Sequence, residues 1–342
     1  MVNRMSPFHH PLQGGIIGCG FFGRIHLEAW GRIPGARIVA ACDLDAEKAR
    51  SAAPRAYTSP EEMMERERLD FVDIATRPES HLALVRLAVS RGIPAICQKP
   101  MAAEWADAVA MTEAAEAARI PLMIHENWRW QPWYRAARSR IEAGDIGQPL
   151  AYSFVTRRND GGGGRPYPNQ PYFSGMPRLL IHETLVHHID TARFLFGDID
   201  SVFALARRVN PAIAGEDRAL VVVAHRAAVE GVIDGHRFLD PIPDGPVMGE
   251  AAFEGDRGRI HILSTGDLYL DGRTVWSNNV SAGYRGDSVG ATQRHFVECL
   301  TSGRPFESAA RSYLGTFGAV EAAYRSLAGR RVVTMTEILG DV

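Results

Sequence analysis

Through the first 125 residues, short apolar runs alternate with stretches of helical spacing. The runs are Gly15 to Gly18, Arg37 to Cys42, Phe71 to Ala75, Ala95 to Cys97 and Leu122 to His125. Helical candidates lie between them near 22–32, 45–53, 60–67, 79–91 and 102–118. Near-continuous apolar strands alternating with helices predict a parallel sheet covered on both faces. Beyond residue 125 the pattern changes. A helix over 132–143 ends at Gly144, a strand spans 150–158, and a loop holds Gly161 to Gly164 and prolines as far as Pro177. A helix over 179–196 follows. From Val202 to Trp276, strands are punctuated by Asp-Gly steps at 234–235, 244–245 and 271–272, which predicts a largely antiparallel meander. Helices return near 289–302 and 309–328. The expected fold class is α/β, a doubly wound parallel sheet in residues 1–125. An α+β domain with a large, mostly antiparallel open sheet is expected in 126–342, for substrate binding and oligomerisation.

Composition narrows the partners. The 342 residues are 46% hydrophobic and 23% charged, as in a globular protein, and their length suits two domains. A formal net charge of −2 gives no electrostatic reason to expect nucleic acid or an anionic membrane. No run approaches the roughly 18 apolar residues of a membrane span. The N-terminus has no signal-peptide pattern, and His9-His10 reads as tail rather than ligand. Cys19, Cys42, Cys97 and Cys299 lack paired spacing and read as small hydrophobes, so a reduced, cytoplasmic protein is expected.

Gly18-Cys19-Gly20-Phe21-Phe22-Gly23 fits G-x-G-x-x-G between a predicted strand and a predicted helix. The first glycine allows a tight turn, the second admits a pyrophosphate to the backbone, and the third brings helix to strand. The helix N-terminus then offers free N–H groups and a positive dipole end. Asp43, twenty residues after Gly23, can accept from the adenosine ribose hydroxyls and would repel a 2′-phosphate. Asp43-Leu44-Asp45 has no arginine after it, which favours NAD over NADP. A dinucleotide-binding Rossmann domain is the expectation.

Four further motifs in order resemble the Gfo/Idh/MocA oxidoreductase family over nearly the whole chain. Thr76-Arg77-Pro78-Glu79-Ser80-His81 is similar to its T-x-P-x-x-H. Gly92 to Pro100, with Gln98-Lys99-Pro100, is similar to its segment ending in E-K-P. Asn127-Trp128-Arg129-Trp130-Gln131-Pro132 resembles N-x-R-F-x-P, and His187-His188-Ile189-Asp190 fits H-x-x-D. The resemblance implies that Lys99 lies at the nicotinamide end of the cofactor and contacts the reacting hydroxyl. His187 is then the acid–base group, taking the hydroxyl proton as the carbinol hydride passes to nicotinamide, work that suits an imidazole. Lysine beside the cationic ring is expected to lose its proton more easily than usual. It also implies cofactor contacts from Gly18, Gly20, Phe21, Phe22, Gly23, Asp43, Thr76, Pro78, His81, Gln98 and Lys99. Substrate contacts are expected from Asn127, Trp128, Arg129, Arg158, Asn159 and His188. Trp128, Trp130 and Trp133 read equally as a sugar-facing wall or as core, and the glycine run as a lid or a plain loop.

Two departures from the family pattern stand out. Gln98 replaces the usual glutamate, removing a charge that would hold Lys99 protonated. Upstream of His187 the common D-x-G-x-H reads Glu183-Thr184-Leu185-Val186-His187, which keeps a carboxylate four residues away on one face of an α-helix. His182 and His187, five apart, diverge by about 140° on an α-helix, so no metal is expected. The expected function is oxidation of a hydroxyl on a small sugar or polyol with NAD, and the Gln-Lys-Pro segment most resembles the D-apiose dehydrogenase branch. Two other readings stay open: transient use of tightly held NAD in epimerisation, elimination or glycoside cleavage, and a silent NAD-binding regulator. A homodimer or homotetramer is expected by analogy.

Overall fold

A computed structural model describes residues 11–239, 242, 245–280 and 282–340. The His9-His10 pair and Asp244 lie outside them. The chain divides into two compact units, Met1–Asn127 with Asp287–Leu314, and Trp128–Gly286 with Gly315–Val342.

The first unit runs β1 (Leu12–Ile17), α1 (Phe21–Trp30), β2 (Ala36–Cys42), α2 (Ala46–Ala52), β3 (Arg55–Tyr57), α3 (Pro60–Arg66), β4 (Phe71–Ile74), α4 (His81–Ser90), β5 (Ala95–Gln98), α5 (Trp105–Ala118) and β6 (Leu122–His125). The strands form one parallel sheet in the order β3-β2-β1-β4-β5-β6. The order reverses between β1 and β4, and in such sheets the crevice beyond the carboxyl ends at the reversal takes the ligand. Local chemistry sets the helix starts. Asp45 accepts from Glu47 N–H at α2, and Ser59 from Glu62 N–H at α3, where Pro60 fills the first turn. Strand β3 has no counterpart among the apolar runs, because its three residues are exposed or half-buried.

The helix Ser288–Ser302 belongs to this unit rather than to the C-terminal region expected from the sequence. Phe296, Val297 and Leu300 pack into one core with Leu12, Trp30, Phe71 and Met123. Ile124 N–H donates to Ser308 O, and Ser308 Oγ returns a bond to Ile124 O. The first unit therefore closes with chain from far downstream.

The second unit contains α6 (Pro132–Glu142), β7 (Pro149–Arg157), a π-helical stretch (Leu180–Leu185) running into α7 (Val186–Phe196), then β8 (Ile199–Arg207), β9 (Arg218–His225), β10 (Glu230–His236), β11 (Gly249–Gly255), β12 (Arg259–Ile262), β13 (Leu268–Leu270), β14 (Arg273–Trp276) and β15 (Val333–Thr334). They build a nine-stranded sheet, β14-β13-β12-β11-β7-β10-β9-β8-β15, antiparallel except where β10 pairs in parallel with β7. Tyr152 and Phe154 of β7, Phe196 of α7 and Phe253 of β11 interlock beneath it. Asp271 and Gly272, at φ 47° and 80°, make the two-residue turn between β13 and β14. Asp234-Gly235 is no turn. It lies inside β10, where a Cβ on Gly235 would come within 2.7 Å of Leu185 Cδ2, so the glycine admits the π-helical stretch onto the strand.

Candidate functional site

The glycine turn follows β1. Gly18 has φ +93°, and a Cβ there would stand 2.6 Å from Ala75 O. A Cβ on Gly23 would stand 2.0 Å from Gly18 O, so helix and strand meet only because the residue is bare. Gly20 is different: a Cβ there would meet nothing within 4 Å, leaving its backbone facing open space. No side chain caps the first turn of α1. Amides without a cap beside open space suit a pyrophosphate. Phe21 is partly exposed, and Phe22 sets its ring edge against His26. Asp43, just past β2, accepts from Cys19 N–H at 2.7 Å and Asp45 N–H at 2.9 Å. The carboxylate is thus fixed beside the turn, with lone pairs to spare for a ribose.

Thr76 and Pro78 sit between β4 and α4. Thr76 Oγ1 lies 2.7 Å from Ser80 Oγ, and Pro78 opens a short 3₁₀ turn. His81 is fully buried, its nitrogens 3.1 Å from Met101 O and 3.2 Å from Thr76 O. Burial lowers its pKa. In this unit it braces one loop against another. Gln98 ends β5, and Lys99 precedes a cis Lys99–Pro100 bond with its side chain half-buried. Gln98 Oε1 accepts Lys99 N–H at 2.6 Å, while Gln98 Nε2 lies 2.9 Å from His26 Nε2. The amide of Asn127 goes to Ser288 Oγ at 2.7 Å.

In the second unit, His187 lies on α7 with its ring flat against Trp128, 4.7 Å between centroids and 7° between planes. Arg129 grips Asp190, three residues further along α7, through Nε at 2.8 Å and Nη2 at 2.6 Å. Thr316 Oγ1 donates to the same carboxylate at 2.9 Å. Two motifs far apart in sequence therefore bind each other. Trp128 and Arg129, expected at the substrate, hold the helix that carries His187. His188 is buried, with Nε2 2.7 Å from Thr156 Oγ1, and burial, aided by the neighbouring His187, pulls its pKa down to about 3. It stays neutral inside the unit.

Glu183 falls in the π-helical stretch, where main-chain bonds span five residues. The four-residue spacing to His187 therefore does not carry the α-helical meaning expected of it, and the divergence argued for His182 and His187 fails for the same reason. The His182 ring meets Phe317 in a T-shaped contact, 5.5 Å between centroids. Glu183 Oε2 accepts from Thr184 Oγ1 at 2.7 Å and from Arg237 Nη1 at 3.2 Å. No group of three or more potential ligands gathers as a metal site among the described residues.

Arg237 carried no sequence signal. It is buried between the rings of Tyr167 and Phe173, and binds Asp160 through Nε and Nη2 as well as Glu183. Arg158 reaches the same aspartate at 3.2 Å. The glycine run is tied down alongside. Gly161 N–H donates to Arg237 O, and Asn210 Nδ2 donates to Gly161 O and Gly163 O. A Cβ would meet Tyr167 OH at 2.7 Å on Gly161 and Asn159 Oδ1 at 2.3 Å on Gly162, so these two glycines serve close packing, while a Cβ on Gly163 or Gly164 would meet nothing within 4 Å.

Comparison with known proteins follows this division. A family model described as the oxidoreductase family with NAD-binding Rossmann fold, Gfo/Idh/MocA, matches residues 12–125, and the model of that family's C-terminal domain matches 134–260. The chain belongs to the Gfo/Idh/MocA oxidoreductase family. It is 37% identical to a D-apiose dehydrogenase of Paraburkholderia graminis, over 95% of this chain and 90% of that one. It is 34% identical to a D-apiose dehydrogenase of Rhizobium rhizogenes, over 96% and 99%. Among solved structures, an Agrobacterium radiobacter oxidoreductase in complex with NAD+, L-tartaric acid and magnesium matches with a TM-score of 0.87. That protein is 34% identical, and the match covers 96% of this chain and all of that one.

Proposed function

We propose that this member of the Gfo/Idh/MocA family oxidises a hydroxyl group of a small sugar with NAD as acceptor, and that D-apiose is its sugar. The observation that carries this reading is the near full-length likeness to two D-apiose dehydrogenases. The residues present suit the cofactor: a bare glycine turn with open space at Gly20, an uncapped helix start, and a fixed carboxylate at Asp43. When bound, NAD supplies the acceptor for the carbinol hydride.

In this proposal Lys99 holds the reacting oxygen by hydrogen bonding, from a main chain fixed by Gln98. His187 takes the hydroxyl proton, its ring plane set by Trp128 and its helix by the Arg129–Asp190 fork. Glu183 shares its charge with Arg237 and serves His187 by position. Asn127, Arg158 and Asn159 supply polar groups for the remaining hydroxyls. His81, Trp128, Arg129 and His188 support the site from behind.

No helix among the described residues is long and apolar enough to cross a membrane, and the four cysteines are buried and unbridged, which suits the cytoplasm. Phe203 of β8, Val222 of β9 and Val232 of β10 stand opposite one another in register on the outer face of the large sheet. Leu205 lies opposite Leu220 on the same face, with Leu205 55% exposed. An apolar sheet face of this kind suits a second copy of the chain, giving a homodimer or homotetramer. Size-exclusion chromatography with light scattering should give two or four times the 37.6 kDa chain.

The deciding experiment offers D-apiose, other aldoses, polyols and inositols with NAD or NADP and follows absorbance of the reduced cofactor. D-Apiose with NAD should give the highest kcat/KM. Binding of NAD without its reduction by any sugar would refute dehydrogenation and favour transient use of the cofactor.

A further inference from the structure

His26, on α1, belongs to none of the motifs, yet it is fully buried in the first unit. Its Nδ1 lies 2.8 Å from Asp73 Oδ2, which also accepts the Trp30 indole N–H at 2.7 Å. Its Nε2 lies 2.9 Å from Gln98 Nε2, and Gln98 Oε1 accepts Lys99 N–H at 2.6 Å. Asp73 is fully buried and Gln98 nearly so.

Every proton along this chain of groups has one place to be. A backbone N–H only donates, so the Gln98 atom facing Lys99 is the carbonyl oxygen and the atom facing His26 is the NH₂. That NH₂ only donates as well, so His26 Nε2 accepts and carries no proton. The single ring proton sits on Nδ1 and goes to Asp73. Asp73 Oδ2 already takes two donors, and a proton on Oδ1 would meet no acceptor among the described residues. His26 is therefore the neutral tautomer with its proton on Nδ1, and Asp73 is its acceptor.

We infer that Asp73, His26 and Gln98 form a positioning relay that fixes the main chain of Lys99, and that glutamine at 98 is matched to a neutral His26. The functional half of this inference rests on the role proposed above for Lys99; the proton placement does not. A glutamate at 98 breaks the match. One of its oxygens would still accept Lys99 N–H, but the other would face the lone pair of His26 Nε2. Two acceptors would then face each other, a mismatch relieved when His26 Nε2 takes up a proton. From the elements packed against α1, the titratable groups facing the ring are Asp73 of β4 and His125 of β6, the latter stacked at 4.1 Å. Phe22 presents only a ring edge, and Gln293 donates to the main-chain carbonyl of His26.

Two measurements on the full chain test this. The first is ¹⁵N NMR of histidine-labelled protein without sugar or cofactor, with the His26 signals assigned by their loss in His26→Gln. The wild-type ring should carry its proton on Nδ1, with Nε2 bare. In Gln98→Glu both nitrogens should be protonated. A wild-type proton on Nε2, or an unchanged ring in Gln98→Glu, overturns the relay. The second follows the ratio of kcat/KM in Gln98→Glu to wild type across pH. It should be low by on the order of tenfold at mildly alkaline pH, where a buried polar group is left unmatched, and should recover as the pH falls. A ratio flat with pH reduces Gln98 to packing and overturns the match. If no sugar drives NAD reduction by the wild type, the proposed function fails, and the NMR result still decides the proton placement.

Discussion

Lys99 and Lys48 are the only lysines in the sequence, and Lys48 stands exposed beside Asp45 on α2. Amine-selective labelling read by mass spectrometry therefore reports on Lys99 against a built-in control. NAD should shield Lys99 and leave Lys48 unchanged. Lys99→Ala and His187→Ala should each lower kcat/KM by about 10²–10⁴, the usual worth of positioned acid–base groups, while NAD affinity moves only a few-fold. Loss of NAD binding alongside activity would assign Lys99 to cofactor retention alone. Asp43 tests selectivity separately. Asp43→Ser removes the carboxylate that would repel a 2′-phosphate, so the ratio of kcat/KM for NADP to that for NAD should rise. Part of that change will come from the turn itself, since Asp43 also holds Cys19 N–H. Asp43→Asn keeps an acceptor for this bond and separates the two effects.

At the scale of elements, the parallel sheet was legible because its strands are short apolar runs flanked by helical spacing, and a strand buried on both faces must read that way. The failures have equally local causes. Arg55–Tyr57 escapes because it buries little, and Asp234-Gly235 reads as a turn although its glycine serves Leu185. The π-helical stretch Leu180–Leu185 is invisible to an argument that assumes the α-helical period, so the spacing of Glu183 and His187 cannot be read as one face of an α-helix. Motifs located the helix of His187, but their internal pairing needed coordinates. Nothing in Asn127 to Pro132 says that Arg129 will spend its fork on Asp190. Asp190→Asn should show what that fork is worth. It leaves a buried guanidinium without its charge partner, which typically costs about 3–5 kcal/mol. The denaturant midpoint should fall accordingly. The replacement Arg129→Met with Asp190→Leu, which removes both charges, should recover much of the stability and little of the activity if the fork also sets the bearing of α7.

Across the whole molecule, burial holds histidines neutral in both units: His81 in the first, and His188, His225 and His236 in the second. Each has a pKa below the ordinary imidazole value near 6.5 when folded, and regains that value when the chain unfolds. Above about pH 6.5 neither state binds the proton, and the stability is fully present. As the pH falls below that value the unfolded chain takes up protons that the folded chain refuses, so stability drains away, at about 1.4 kcal/mol per pH unit for each such proton. For His188 the window runs from about 6.5 down to about 3. The carboxylate of Glu337, drawn down to about 2 by Arg331, adds its own loss only below its ordinary value of about 4.5. The thermal midpoint should therefore fall steadily from about pH 6.5 to pH 5, earlier than carboxylate titration alone would produce. His225 offers the cleanest check, since its Nδ1 bonds to Gly197 O and its Nε2 lies 3.0 Å from Tyr152 OH, within the second unit. His225→Gln cannot take up a proton in either state. Its absolute stability should be lower at neutral pH, where those bonds are imperfectly replaced, and its decline toward pH 5 should be shallower than the wild type's by part of one proton. Parallel curves for the two proteins would mean that His225 contributes nothing to acid sensitivity and that the remaining histidines carry it.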